Sequence, residues 1–191
     1  MNEKFVHSLI LSVPQWISQA TLQKNEMSVS IHPQYLLPFF TFLKNHTQTQ
    51  YKVLIDVTAV DYPSREQRFE VVYNLLSLQY NARIRIKTCI DEITPVDSLV
   101  EIYPSANWYE RETWDMFGIF FSKHPDLRRI LTDYNFEGYP LRKDFPLTGY
   151  TELRYDQDQK KIVYEPVKLT QEFRNFDFEM PWEGTTYKIK E

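Results

Sequence analysis

Met27, Val29 and Ile31 alternate with Ser28, Ser30 and His32, the period-two pattern of a strand with one buried face. Residues 51–60 are β-branched and apolar, which predicts a central strand, and Asp61-Tyr62-Pro63-Ser64 ends it in a turn. Two long strands follow, over 68–78 and Ala82–Ile90, joined by a tight hairpin turn at Gln79-Tyr80-Asn81. In the second, Arg83, Arg85 and Lys87 alternate with Ile84, Ile86 and Thr88, so a basic face backs a buried one. Such a face is either solvated, as edge protection, or available for docking. Helical spacing appears elsewhere. Val6, Leu9, Ile10, Val13, Trp16 and Ile17 predict one helix or two short ones over 5–22, broken or kinked at Pro14. Pro33 opens a very apolar helix over 35–44. Asp97 or Ser98 as N-cap predicts a helix through Val100 and Ile102; Ser105 caps another over 107–117, closed at Gly118. This order predicts an α+β fold over 1–122, a mostly antiparallel sheet flanked by helices.

Residues 123–191 have a different character: rich in aromatics and proline, with little periodicity. Disordered tails are aromatic-poor, so the expectation is a long extended C-terminal arm ordered by contact with a partner.

Composition narrows the function. The chain has 191 residues, 42% hydrophobic and 25% charged, consistent with one compact domain plus the arm. Its net charge of -4 gives no electrostatic reason to expect nucleic acid. Only 4 glycines occur, all isolated, so no phosphate-cradling glycine loop can be built. The single cysteine, Cys89, lies in an apolar strand end, where a packed thiol is expected; alone it cannot hold an iron–sulfur cluster or close an internal disulfide. No stretch reaches the roughly 20 apolar residues of a membrane span. The N-terminus, with Glu3 and Pro14, resembles neither a signal nor a transit peptide, which points to synthesis in the protein's own compartment or prior removal of an import segment.

The sharpest cluster is Glu110-Arg111-Glu112-Thr113-Trp114-Asp115-Met116-Phe117-Gly118, followed by His124, Arg128 and Arg129. One reading makes Glu112, Asp115 and His124 ligands of a divalent metal, as in a small soluble hydrolase. The other pairs Arg111, Arg128 and Arg129 with the carboxylates, fixing the helix to the loop after it. The stretch 138–147 holds Tyr139, Arg142, Lys143, Asp144, Phe145 and Pro146 in a rigid, turn-rich segment, either a solvated loop or an anchored recognition strand in which Arg142 and Asp144 make directional charge-assisted bonds. No catalytic constellation emerges, and the residues alone describe a binding module.

These same residues, with Arg128-Arg129-Ile130-Leu131, the 138–147 stretch and the segment from Phe178 to Trp182, resemble the hydrophilic-subunit family of respiratory NADH:quinone oxidoreductase, complex I. The resemblance implies a structural subunit that scaffolds the quinone-binding module of a proton-pumping complex and has no catalytic residues of its own. It implies no cofactor in this subunit, FMN, iron–sulfur clusters and quinone being carried elsewhere in the complex. The implied partners are other peripheral-arm subunits, chiefly the hydrogenase-like quinone-module subunit. Glu110, Arg111, Glu112, Asp115, Gly118, His124 and Arg128 would be structural; Arg129, Tyr139, Arg142, Lys143, Asp144, Phe145, Pro146, Phe176, Phe178 and Trp182 would bind the partner. The implied setting is the matrix side of the mitochondrial inner membrane, or the cytoplasmic membrane face in a bacterium. The alternative from a different class is a protein–protein adaptor unrelated to respiration.

Overall fold

The computed structural model describes residues 3–24, 26–174 and 176, and within these the chain divides into two units, Met1–Leu147 and Thr148–Glu191. In the first unit the elements run α1 (Glu3–Ser12), β1 (Ile17–Gln23), β2 (Glu26–Ile31), a 3-10 turn (Pro33–Tyr35), α2 (Leu36–Asn45), β3 (Val53–Asp61), β4 (Phe69–Ser77), β5 (Ala82–Ile90), β6 (Val96–Asp97), α3 (Ala106–Phe117) and β7 (Phe121–Ser122). The five long strands form one sheet in the order β1-β2-β5-β4-β3, antiparallel at every junction except β2–β5. The fold is thus α+β with a mostly antiparallel sheet.

Alternation puts Val71, Tyr73 and Leu75 of β4 beside Ile84 and Ile86 of β5 on one face of the sheet, all buried. Helix α2 buries Leu36, Phe39, Phe40 and Leu43, an i, i+3, i+4, i+7 stripe. Pro38 sits in its first turn, where a missing N–H costs nothing. The Phe40 and Tyr73 rings meet edge to face at 5.0 Å, joining helix and sheet in one core. The β3 edge is closed by α3: the hydroxyls of Thr113 and Ser105 donate to the free carbonyls of Val57 and Leu54, at 3.4 and 3.3 Å.

Three expectations are corrected. The helix expected over 5–22 ends at Ser12, and β1 takes over. Trp16, whose spacing matches that helix, instead packs against Phe39 and Phe42 across a turn. The hairpin partner β2 supplies the hydrogen bonds that fix residues 17–23 as strand, a cue invisible to local periodicity. The helix expected from Asp97 is absent: Val96 and Asp97 pair in parallel with Phe121 and Ser122, and one turn follows at Leu99–Tyr103. Ser105 stands before α3 but does not cap it: its backbone is helical (φ −62°, ψ −23°) rather than extended as in a capping residue, and its hydroxyl donates to β3 instead. Gly118 does close α3, in the left-handed conformation at φ 77°. On β5, Arg83 and Arg85 are exposed, while Lys87 pairs with Glu70 at 2.7 Å.

The second unit holds a hairpin where the sequence predicts only an irregular arm: β8 (Thr151–Asp156) and β9 (Lys161–Pro166). Cross-strand partners Leu153↔Tyr164 and Tyr155↔Ile162 give it an apolar face. Glu152↔Glu165 and Asp156↔Lys161 fall on the other face, where Arg154 also bonds Glu165 at 2.7 Å. Leu153, Tyr155, Ile162 and Tyr164 are each about half exposed or more.

Candidate functional site

The 110–118 motif lies on α3. Residues 123–147, expected from the sequence to belong to the arm, fold back over it as part of the first unit. What holds them there is a set of buried charges. Asp115 is fully buried. Its Oδ2 accepts the successive backbone N–H groups of Ile130, Leu131 and Thr132 at 3.2, 2.7 and 2.9 Å, and its Oδ1 accepts the Thr132 hydroxyl at 2.6 Å. Three consecutive amides aimed at one oxygen form an anion-binding nest supplied by the chain itself. Burial pushes the Asp115 carboxyl upward, but these bonds outweigh it and leave the group below the usual carboxylate range.

The arginines are placed differently from the simple pairing expected. Arg129 does approach Asp115, at 3.6 Å, and also donates to the Gly138 carbonyl at 3.0 Å. Arg111 instead donates to the carbonyls of Arg128 and Arg129 at 2.9 and 3.4 Å, and Arg128 pairs with Asp126 at 2.8 Å. The amides already fill the carboxylate, so the guanidinium groups hold the loop's carbonyls and outer acid.

A second clamp caps the end of α3. The Leu141 N–H donates to the Met116 carbonyl at 3.1 Å, and Arg142 Nε donates to the Phe117 carbonyl at 2.6 Å. Both carbonyls belong to the last turn, which has no intrahelical donors and attracts a cation. The Arg142 guanidinium also lies over Tyr139 and Phe69, 4.6 and 5.1 Å from the ring centroids. A Cβ at Gly118 would stand 2.6 Å from the Tyr139 ring. Beyond this, Lys143 N–H donates to Asp61 Oδ2 at 2.8 Å, and Asp144 meets Arg68 at 3.1 Å. Arg68 grips both oxygens of Asp61, at 2.7 and 2.9 Å, and reaches Glu92. The Arg68 bonds, aided by the Lys143 amide, hold the Asp61 carboxyl below its ordinary value despite burial. Phe145 stacks near Phe136 at 5.8 Å, with Gly138 beneath its ring.

Glu110 and His124 form a third group. Both side chains are fully buried, 4.0 Å apart. Glu110 accepts from the Ser98 hydroxyl at 2.6 Å and from Leu99 N–H at 2.7 Å. Burial drives its carboxyl up to about 7 against those two bonds. The metal-ligand trio therefore does not assemble: His124 faces Glu110, Asp115 is filled by amides and Glu112 is exposed. Among the described residues no three His, Cys, Asp or Glu side chains converge to hold a metal ion.

Arg142 and Asp144 thus make the charge-assisted bonds expected of them, but to their own chain. Lys143 presents an exposed side chain, Pro146 is half-buried and Phe176 is exposed. Phe178 and Trp182 lie outside the described residues. The residues that sequence reasoning misses are Asp61, Arg68, Glu92 and Thr132. Asp61 and Arg68 stand only 7 positions apart, but their other partners, and Asp115 for Thr132, lie far away in sequence, and nothing local marks them; only an Asp at the end of an apolar strand hints at Asp61.

Residues 29–151 match the family described as respiratory-chain NADH dehydrogenase, 30 Kd subunit. NADH-ubiquinone oxidoreductase subunit 9 of Prototheca wickerhamii is 61% identical, covering 96% of this chain and 95% of that protein. A bacterial relative, an NADH-quinone oxidoreductase subunit of Methylobacterium radiotolerans, is 60% identical over 86% of this chain and 76% of that protein. A chain of the membrane-bound sulfane sulfur reductase, an archaeal respiratory membrane complex, superposes with a TM-score of 0.65 at 25% identity, over 84% of this chain and 98% of that one. The chain therefore belongs to the family of the 30 kDa subunit of respiratory-chain NADH dehydrogenase.

Proposed function

We propose that this chain is a structural subunit of NADH:quinone oxidoreductase that scaffolds the quinone-binding module, and that its second unit docks on the hydrogenase-like subunit of that module. Membership in the family supports the first part. The observation that carries the second is the ribbon β8–β9. A lone two-stranded hairpin is marginal in water, and this one displays Leu153, Tyr155, Ile162 and Tyr164 on a single face. Tyrosine-rich apolar faces of this kind supply anchors in protein interfaces. In this reading Arg129, Tyr139, Arg142 and Asp144 fix the segment that precedes the ribbon, while Lys143, Phe145, Pro146, Phe176 and the outlying Phe178 and Trp182 add further contacts to the partner.

The subunit holds no flavin, cluster or quinone of its own in this reading. Its single cysteine is short of the roughly four thiolates a cluster takes. Electrons pass through its partners, and it acts on their placement. It sits on the matrix side of the inner membrane, or on the cytoplasmic face in a bacterium; among the described residues no helix is long and apolar enough to cross a membrane.

Native electrophoresis of solubilised membranes tests this reading. The chain should migrate with a large respiratory assembly that oxidises NADH, and cross-linking from the ribbon should reach the quinone-module subunit. A chain that migrates alone would overturn it.

A further inference from the structure

Arg83, Arg85 and Lys87 alternate along β5, and the order of the sheet limits what they can do there. Charges that keep a sheet edge from pairing belong on an edge strand. β5 is the third of five strands, between β2 and β4, while the edge strand β1 carries no charged side chain. Edge protection therefore does not account for them.

Their face of the sheet is the one the helices leave. Phe40 of α2 packs on Tyr73, and Leu9 of α1 joins the same core. On the opposite face the register places Asn74, Arg85 and Ser28 in one row and Val72, Lys87 and Ser30 in the next, with Arg83 beside Leu76. Val72 is buried yet stands outside the core that the helices share, so it and the half-buried Leu76 form an apolar floor under longer polar side chains.

The three cations are unequally satisfied. Lys87 is held by Glu70 at 2.7 Å, and Arg65 shares that carboxylate at 3.3 Å. Arg85 donates to the Asn74 side-chain oxygen at 3.3 Å and approaches only the exposed Glu26, at 3.9 Å. Arg83 is exposed and has no ion pair among the described residues. The two arginines are two positions apart on one strand, so their Cα atoms lie about 7 Å apart on the same side. That spacing matches two carboxylates presented by one protein segment, each able to accept a bidentate bond from a guanidinium. A polyanion fits less well. Glu26, Glu70 and Asp56 share the face, whereas lipid surfaces and nucleic acids are read by larger clusters of one sign.

We infer that the open sheet face around Arg83 and Arg85 is a second docking surface, which takes an acidic segment of a neighbouring protein: two carboxylates on the two guanidinium groups, and apolar side chains on Val72 and Leu76. The surface belongs to the first unit and is independent of the ribbon.

The test uses the full-length chain, free and in its respiratory assembly. Phenylglyoxal, which labels accessible arginines, should modify Arg83 and Arg85 in the free chain and at least about tenfold less in the assembly, as read by mass spectrometry. With Arg83→Lys and Arg85→Lys, a carbodiimide, which joins an amine to a carboxyl in contact with it, should link either side chain to an Asp or Glu of a neighbouring subunit. Arg83→Glu with Arg85→Glu should lower incorporation at least about tenfold while the free chain unfolds as before. Equal labelling in the two states overturns the proposal, as do links that reach only Glu26 of the same chain. Binding of phosphatidylglycerol vesicles that Arg83→Glu with Arg85→Glu abolishes would assign the arginines to a lipid surface and overturn it too. Should that variant not fold, the wild-type labelling and the links decide the matter alone.

Discussion

Asp61 and Lys143 stand 82 positions apart in sequence and are joined by a 2.8 Å hydrogen bond from the Lys143 backbone N–H to Asp61 Oδ2. The bond ties the end of β3 to the segment that leaves α3, and Arg68 locks the same carboxylate from the other side. Asp61→Ala should therefore take the two Asp61 bonds from a nearly buried guanidinium, leaving it Glu92 and Asp144, and free an amide. The expected loss is about 3 kcal/mol in urea unfolding. Exchange at Lys143 should rise in the same variant, and an unchanged midpoint would contradict this account of the clamp.

Gly118→Ala should fail for two separable reasons. The left-handed backbone at φ 77° costs an alanine about 1 kcal/mol, and its Cβ would collide with Tyr139. The double variant Gly118→Ala/Tyr139→Ala should recover the collision but not the backbone cost. A double-mutant cycle measures the difference. Additive effects would show that the ring and the glycine are not in contact.

The acids should leave opposite marks on stability. Glu110 has a raised value in the fold, so the folded chain retains a proton that the unfolded chain releases. Its contribution is full below the ordinary 4.5 and is lost as pH rises toward about 7, by on the order of 3 kcal/mol relative to Glu110→Gln. Asp115 is lowered, so its contribution is present above the ordinary 3.8 and disappears as pH falls through its folded value. Comparing thermal unfolding of wild type, Glu110→Gln and Asp115→Asn across pH separates the two. Parallel profiles for all three would refute both assignments.

The ribbon predicts a change in assembly without a change in fold. Leu153→Asp with Ile162→Asp places charge on the apolar face while leaving the first unit untouched. Incorporation into the large complex should fall at least about tenfold, as expected when interface anchors are removed. The unfolding of the Met1–Leu147 unit should stay the same. Normal incorporation would remove the ribbon from the docking surface.

Strands whose pattern is carried by their own side chains are legible in the sequence. Ile84, Ile86 and Thr88 bound β5 to the residue, and Gly118 marks the close of α3. What escapes notice depends on remote partners. Residues 17–23 carry apolar spacing compatible with a helix, and only pairing with β2 makes them strand. Ser105 fails to cap α3 because its backbone is already helical and its hydroxyl is turned to a β3 carbonyl, neither of which residue type reveals. The 110–118 motif announces itself, yet the pairing of its acids does not. Nothing local tells that Asp115 will be met by three amides and Glu110 by almost none.

The most direct test of the scaffold is removal of residues 148–191. The truncated chain should retain the cooperative unfolding of its first unit but be absent from the respiratory assembly on a native gel, with quinone-linked NADH oxidation lost in those membranes. A truncated chain that still enters the complex in full proportion and supports that activity would contradict the account.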